Sequence, residues 1–171
     1  LTGIVPPQAT ITEGYLDLYV TTRSNDSNWT DVGVYAARRG WLEAQATWQR
    51  ATSNTYWATA GANGIPADRT NTMLDQQRLE DVHVWKRFDV TAALAEWGTG
   101  VTNNGLVLKG GTGSGGINYD FASSENADLT IRPRLVFTYA IAVVPPTPTP
   151  TQTPTKTPTP TKTVTSTKMP T

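Results

Sequence analysis

ATITEGYLDLYVTT, residues 9–22, decides the fold. Leu16, Leu18 and Val20 share one parity, and Tyr15, Asp17 and Tyr19 share the other. A side-chain period of two over this length is the signature of a β-strand with one buried face. Ile11 is out of phase with Leu16, and the parity changes at Gly14, which predicts a β-bulge there.

The same test predicts strands over 32–39, 105–110 and 132–144, the last opening at Pro133, where a strand tolerates proline. VHVWKRFDV (82–90) alternates, with Val82, Val84, Phe88 and Val90 on one face and His83 inside the strand. INYDFASS (117–124) alternates around Tyr119 and Phe121. Between these, 23–31 reads as a polar loop, 41–48 as a short helix or irregular turn, and 55–70 as loop. TAALAEWG (91–98) predicts one or two helical turns, with Thr91 as N-cap and Gly98 as the stop. GGTGSGG (110–116) lacks the lysine and following helix of a phosphate loop and reads as a hairpin connection. Many short strands, turn signals between them and one brief helix predict an all-β fold. The expected architecture is an antiparallel β-sandwich, jelly-roll-like, followed by an extended C-terminal tail.

Composition divides the chain at residue 144. Eight of the twelve prolines fall in 145–171, where Val164 and Met169 are the only large apolar side chains. That segment cannot bury enough surface to offset its ordering entropy and reads as a stalk or linker. Residues 1–144 hold all six Trp, six Tyr and three Phe, enough for the core of one domain. Zero formal net charge removes the long-range attraction to nucleic acid that a basic protein has. No run is apolar enough for a membrane-spanning helix. The absence of cysteine excludes disulfides and thiolate metal sites. The chain starts at Leu1 with no visible signal peptide, so a processed product or a fragment is expected.

The order of motifs resembles a known family. ATITEGYLDLYV, VGVY, Trp41, the Thr47-Trp48 pair, Trp57 with Gly61-Ala62, FDVTAALAEWGTG, NNGLVLKG, YDFASSE and RPRLVFTY follow one another as in DNRLRE-type, or disaggregatase-related, domains. The resemblance covers about residues 1–140 and is strongest over 88–109 and 119–137. It implies a β-sandwich of the carbohydrate-binding-module class on a secreted or cell-surface protein. Members of that family usually carry further strands upstream, whereas LTGIVPP (1–7) resembles only the end of that region. The expectation is a sandwich with an open apolar groove, filled by another segment or another chain.

Catalytic residues are hard to assemble from this sequence. A glycosidase needs two carboxylates converging on one cleft. Asp89, Glu96, Asp120 and Glu125 are candidates only as carboxylates, and neighbours Glu80 and Asp81 would face opposite sides of a strand. His83, the one histidine, reads as structural. No catalytic residue is assigned, and a non-enzyme is expected. The loop from Asn25 to Asp31 is dense in oxygen ligands that calcium could use, yet it lacks EF-hand spacing, and Asx-rich turns are common without metal. The same loop holds two N-glycosylation sequons, at Asn25 and Asn28. For sugar binding, Trp57, Tyr56 and Trp29 stand in loop-like sequence and are the candidate aromatic contacts. Trp41, Trp48, Trp85 and Trp97 are expected in the core.

The tail carries threonine at every odd position from 147 to 167. Thr147, Thr149, Thr151, Thr153, Thr155, Thr157, Thr159, Thr161, Thr163, Thr165 and Thr167 alternate mostly with Pro and Lys, the composition of an O-glycosylated stalk. In polyproline II the 27 residues of 145–171 reach about 80 Å. Thr163, Val164, Thr165, Ser166 and Thr167 form its proline-free β-branched run, the piece best suited to strand donation.

Two functions follow. The favoured one is a non-catalytic structural subunit of a glycosylated extracellular filament or surface layer, assembled head to tail from identical subunits. The alternative is a carbohydrate-binding module joined by a Thr/Pro linker to a secreted enzyme or a cell-surface anchor, with polysaccharide as partner.

Overall fold

The computed structural model describes residues 4–6 and 8–141. The Thr/Pro tail therefore lies outside the described residues, and with it every O-glycosylation and strand-donation position named above.

The stretch that decides the fold becomes β1 (Ala9–Arg23), the spine of one sheet. One edge of β1 pairs with β6 (Val84–Asp89). Its other edge pairs first with β9 (Arg134–Ile141) and then with β8 (Tyr119–Phe121). The register shifts between Ile11 and Glu13, so the bulge precedes Gly14 rather than sitting on it. Gly14 has a different task. A Cβ there would stand 2.1 Å from Leu94 Cδ1, because the helix α1 (Thr91–Gly98) packs directly on the strand.

The second sheet has β2 (Thr30–Ala36) at its centre, between β5 (Asp75–Leu79) and β7 (Leu106–Gly113). All pairings in both sheets are antiparallel. Ile11, Leu18 and Val20 of β1 meet Val32, Val34 and Ala36 of β2 across a shared core with Phe88, Leu79, Leu94 and Trp97. The alternation of apolar residues in β1 and β2 is thus the inner faces of a β-sandwich.

Several local expectations need correction. β2 starts at Thr30 and ends at Ala36, so Arg38 and Arg39 lie beyond it. Of the two alternatives for 41–48 the structure takes the irregular turn, closed by the Gln45 and Ala46 N–H groups donating to the Leu42 carbonyl. A small hairpin, β3 (Arg50–Thr52) with β4 (Thr55–Tyr56), enters the 55–70 segment, where loop is expected. His83 is exposed, outside β6, with φ of +56°. Thr91 is the first helical residue and not its N-cap; Val90 holds that position. The Asp89 carboxylate accepts the Thr91 N–H at 2.9 Å, while the Thr91 hydroxyl accepts the N–H of Gly14. GGTGSGG is no hairpin connection, because β7 and β8 belong to different sheets.

The two sides of the sandwich differ. β5 and β6 follow one another and close one side. On the other side a cavity of about 460 Å³ lies between the sheets, lined by Val32 of β2, Leu79 of β5, Leu108 of β7 and Tyr119 and Phe121 of β8. β9 on that side exposes Leu135, Val136, Tyr139 and Ile141 on both of its faces.

Candidate functional site

Residues 37–74 leave the second sheet after β2 and return to it at β5. This excursion carries Trp41, Trp48, Tyr56 and Trp57. Trp48 is 74% exposed, Tyr56 56% and Trp41 41%. The core expectation for Trp41 and Trp48 is therefore overturned: they lie on turns outside both sheets, where no second layer covers them. Trp97 alone of the four is buried in the core. Trp85 is half-buried on the outer face of its sheet, with Tyr19 against it edge-on and the Arg134 guanidinium 3.9 Å above its ring.

Trp48 is exposed without being loose. A Cβ on Gly61 would fall 2.5 Å from two carbons of the indole, so the ring rests against glycine backbone at φ +75°. The Gly61 N–H also donates to the Trp48 carbonyl. Only glycine permits both the close approach and the left-handed backbone. Two residues on, Arg50 pairs with Tyr56 across the β3–β4 hairpin, its guanidinium 3.9 Å from the ring centroid. Arg50 donates to the Tyr56 hydroxyl and, at 2.8 Å, to the Ser53 carbonyl. Trp57 is half-buried and donates its indole N–H to the Thr47 carbonyl at 2.9 Å. Trp41 likewise donates to the Asn104 carbonyl at 2.8 Å.

One carboxylate organises the return of the excursion. Asp68 is fully buried and accepts the N–H groups of Ala58, Thr59 and Gly64 at 2.9–3.0 Å. Arg39 donates to it at 2.6 Å. Burial alone would raise its pKa, but these donors to the charged form hold it at about 2. The Asp68 main-chain carbonyl also accepts from the N–H groups of Arg38 and Arg39. The segment carrying Trp57 and Gly61 is thereby fixed to the end of β2.

The remaining sequence candidates do not join this surface. Trp29 stands just before the first residue of β2, while the hairpin belongs to the excursion that leaves its last residue. The Arg78 guanidinium covers the Trp29 ring at 3.8 Å. In the oxygen-rich loop, Asp26 pairs with Arg23 at 2.9 Å and Asp31 with Arg78 at 3.3 Å, so the two carboxylates turn to different arginines. Among the described residues no three acidic or imidazole side chains gather as a metal site. The Asn25 side-chain Oδ1 accepts the Ser27 N–H, and the Asn28 side-chain amide donates to the Gly116 carbonyl. Asp89 serves the helix N-terminus, Glu96 pairs with Arg38, and Asp120 accepts from Thr22. Glu125 lies exposed beside Ser124. These carboxylates are spread over separate elements and form no pair on one cleft.

With this geometry in view, comparison with known proteins gives one family. The sequence model of carbohydrate-binding module family 96 matches residues 3–139. No curated protein matches the chain. The match backs the alternative sequence reading, a carbohydrate-binding module, over the filament subunit.

Proposed function

The chain belongs to carbohydrate-binding module family 96, and on that premise we propose that it binds polysaccharide through Trp48 and Tyr56, with Arg50 between them. Within that family we read the domain as DNRLRE-type, on its motif order. The observation that carries the proposal is the Trp48 indole: 74% exposed, yet seated on Gly61. A rigid, open aromatic face stacks on the C–H face of a pyranose with little ordering cost. Arg50 supplies donors to ring hydroxyls from a guanidinium already oriented by Tyr56 and Ser53. Trp57 is half-buried and tied to Thr47, and the Trp29 ring is covered by Arg78. The Thr/Pro tail serves as an O-glycosylated tether for a domain that works outside the cell.

The test is a glycan array with wild type and Trp48→Ala. Wild type is expected to bind at least one polysaccharide, and Trp48→Ala to lose about tenfold or more in affinity while keeping its circular dichroism. An array blank for wild type, or equal binding by the variant, sinks the proposal.

A second reading, the structural subunit, is favoured by one observation: β9 offers an apolar edge exposed on both faces. In that reading the run 163–167 of a second copy adds a strand to β9. Negative-stain imaging with intact mass decides it. Bare-chain single particles at every concentration tried would remove this reading.

A further inference from the structure

Beside the exposed platform lies a second feature that platform binding does not use. Trp41 and Trp57 flank a slot of about 210 Å³, completed by Ala37, Ala46, Ala62, Leu106 and Val107. At about 30 Å³ per water, its capacity is on the order of seven waters, room for one sugar unit but not for a chain running through. The walls decide what enters. None of the five aliphatic residues has a polar side-chain group, and both indole N–H groups are already spent within the protein, on Asn104 and Thr47. A sugar hydroxyl pushed into the slot would exchange water for no partner, a loss with nothing to offset it. A methyl group would instead gain apolar contact with the walls it meets. The three alanines make the space, since any larger aliphatic residue at those positions would fill it.

We propose that this slot receives a methyl-bearing substituent of the bound sugar, so that the domain selects sugars carrying such a group at the position facing Trp41 and Trp57. The inference rests on the carbohydrate-binding reading above and names the class of sugar unit that fits. The shared chemistry is the methyl group, which a 6-deoxy sugar carries on its ring and an N-acetyl sugar carries on its amide.

Saturation-transfer NMR tests this with four sugars in two pairs: L-fucose against L-galactose, and N-acetylglucosamine against glucosamine. In wild type the methyl resonance of at least one methyl-bearing sugar is expected to take the strongest transfer, and its hydroxyl or amine counterpart none. Signal from fucose alone assigns the slot to 6-deoxy sugars, and signal from N-acetylglucosamine alone assigns it to acetamido sugars. Ala46→Leu, which fills the slot from a half-buried turn position, is expected to remove the methyl signal with near-ultraviolet circular dichroism unchanged. Equal transfer to both members of each pair, or no transfer from any of the four, overturns the proposal without the use of any variant. The two readings also fail separately. Polysaccharide binding lost in Trp48→Ala but untouched in Ala46→Leu removes the slot and leaves the platform. Methyl transfer with polysaccharide binding insensitive to Trp48→Ala removes the platform and leaves the slot.

Discussion

Asp17 and Asp68 are both buried carboxylates, yet they hold the molecule together in different ways. Asp17 lies on β1 and takes a bidentate pair of bonds from Arg87 on β6, at 2.7 and 2.8 Å. Its pKa is lowered first by that hydrogen bonding, against opposing burial, with Arg87 and Arg134 adding charge. The strands around it are already tied by their ladders, so the pair decorates a sheet that stands without it. Asp68 has no ladder to lean on. Three backbone N–H groups from a turn and the Arg39 side chain converge on it. Where regular structure satisfies its own backbone groups, a side chain adds little. Where the chain leaves the sheet, one carboxylate must accept what a neighbouring strand would have accepted.

Deleting the two carboxylates in turn separates their roles. Asp68→Ala leaves the buried Gly64 N–H, the part-buried N–H groups of Ala58 and Thr59, and Arg39 without their acceptor. The expected loss is about 3–5 kcal/mol in chemical denaturation. It should also abolish binding, because Trp57 and Gly61 lose their anchor. Asp17→Ala leaves Arg87, whose side chain is 58% exposed, free to turn to water. The expected loss is about 1–2 kcal/mol, with binding unchanged. Equal losses at the two sites would show that burial, and not the kind of backbone served, sets the cost.

Acid sharpens the same contrast. Both groups have lowered folded pKa values, so each adds stability that is present above its ordinary value, 3.8, and lost as pH falls through the folded value. For Asp68 that window runs from about pH 4 down to about 2. Tryptophan fluorescence is expected to report rearrangement of the excursion within this window in wild type. A variant with Asp68→Asn is expected to lack that transition and to begin from lower stability. A fluorescence change that persists in Asp68→Asn would assign the acid step to another group.

The two regions also differ in how much of them the sequence discloses. β1 and the core residues of β2 and β6 are legible because one face of each is buried, and burial writes itself as period two. DQQRL, which becomes β5, is invisible to that test because Leu79 is its only buried side chain. The β3–β4 hairpin is too short to show any period. At the site, Tyr56 is legible as an exposed aromatic in polar sequence, whereas Trp48 reads as core. Tryptophan is usually buried, and nothing in its neighbours Thr47 and Gln49 announces that no layer covers it. The signal available was the glycine at 61, whose partner only the folded chain identifies. Asp68 was missed for a related reason: three N–H groups converge on it through loop conformation, which has no spacing rule.

The smallest expected effect is the most discriminating. Trp48→Ala removes the most exposed aromatic of the excursion, whose ring rests against Gly61. Stability should change by about 0.5 kcal/mol or less, as for ordinary surface substitutions. A tryptophan kept for packing would cost several times that when truncated, about 3–5 kcal/mol for a core site. Denaturation of this variant therefore separates the two meanings of an exposed indole. A near-zero change beside a lost polysaccharide interaction places the residue in recognition. A loss of several kcal/mol would mean that the ring closes over the excursion in solution, and that the site must be sought elsewhere on the sandwich.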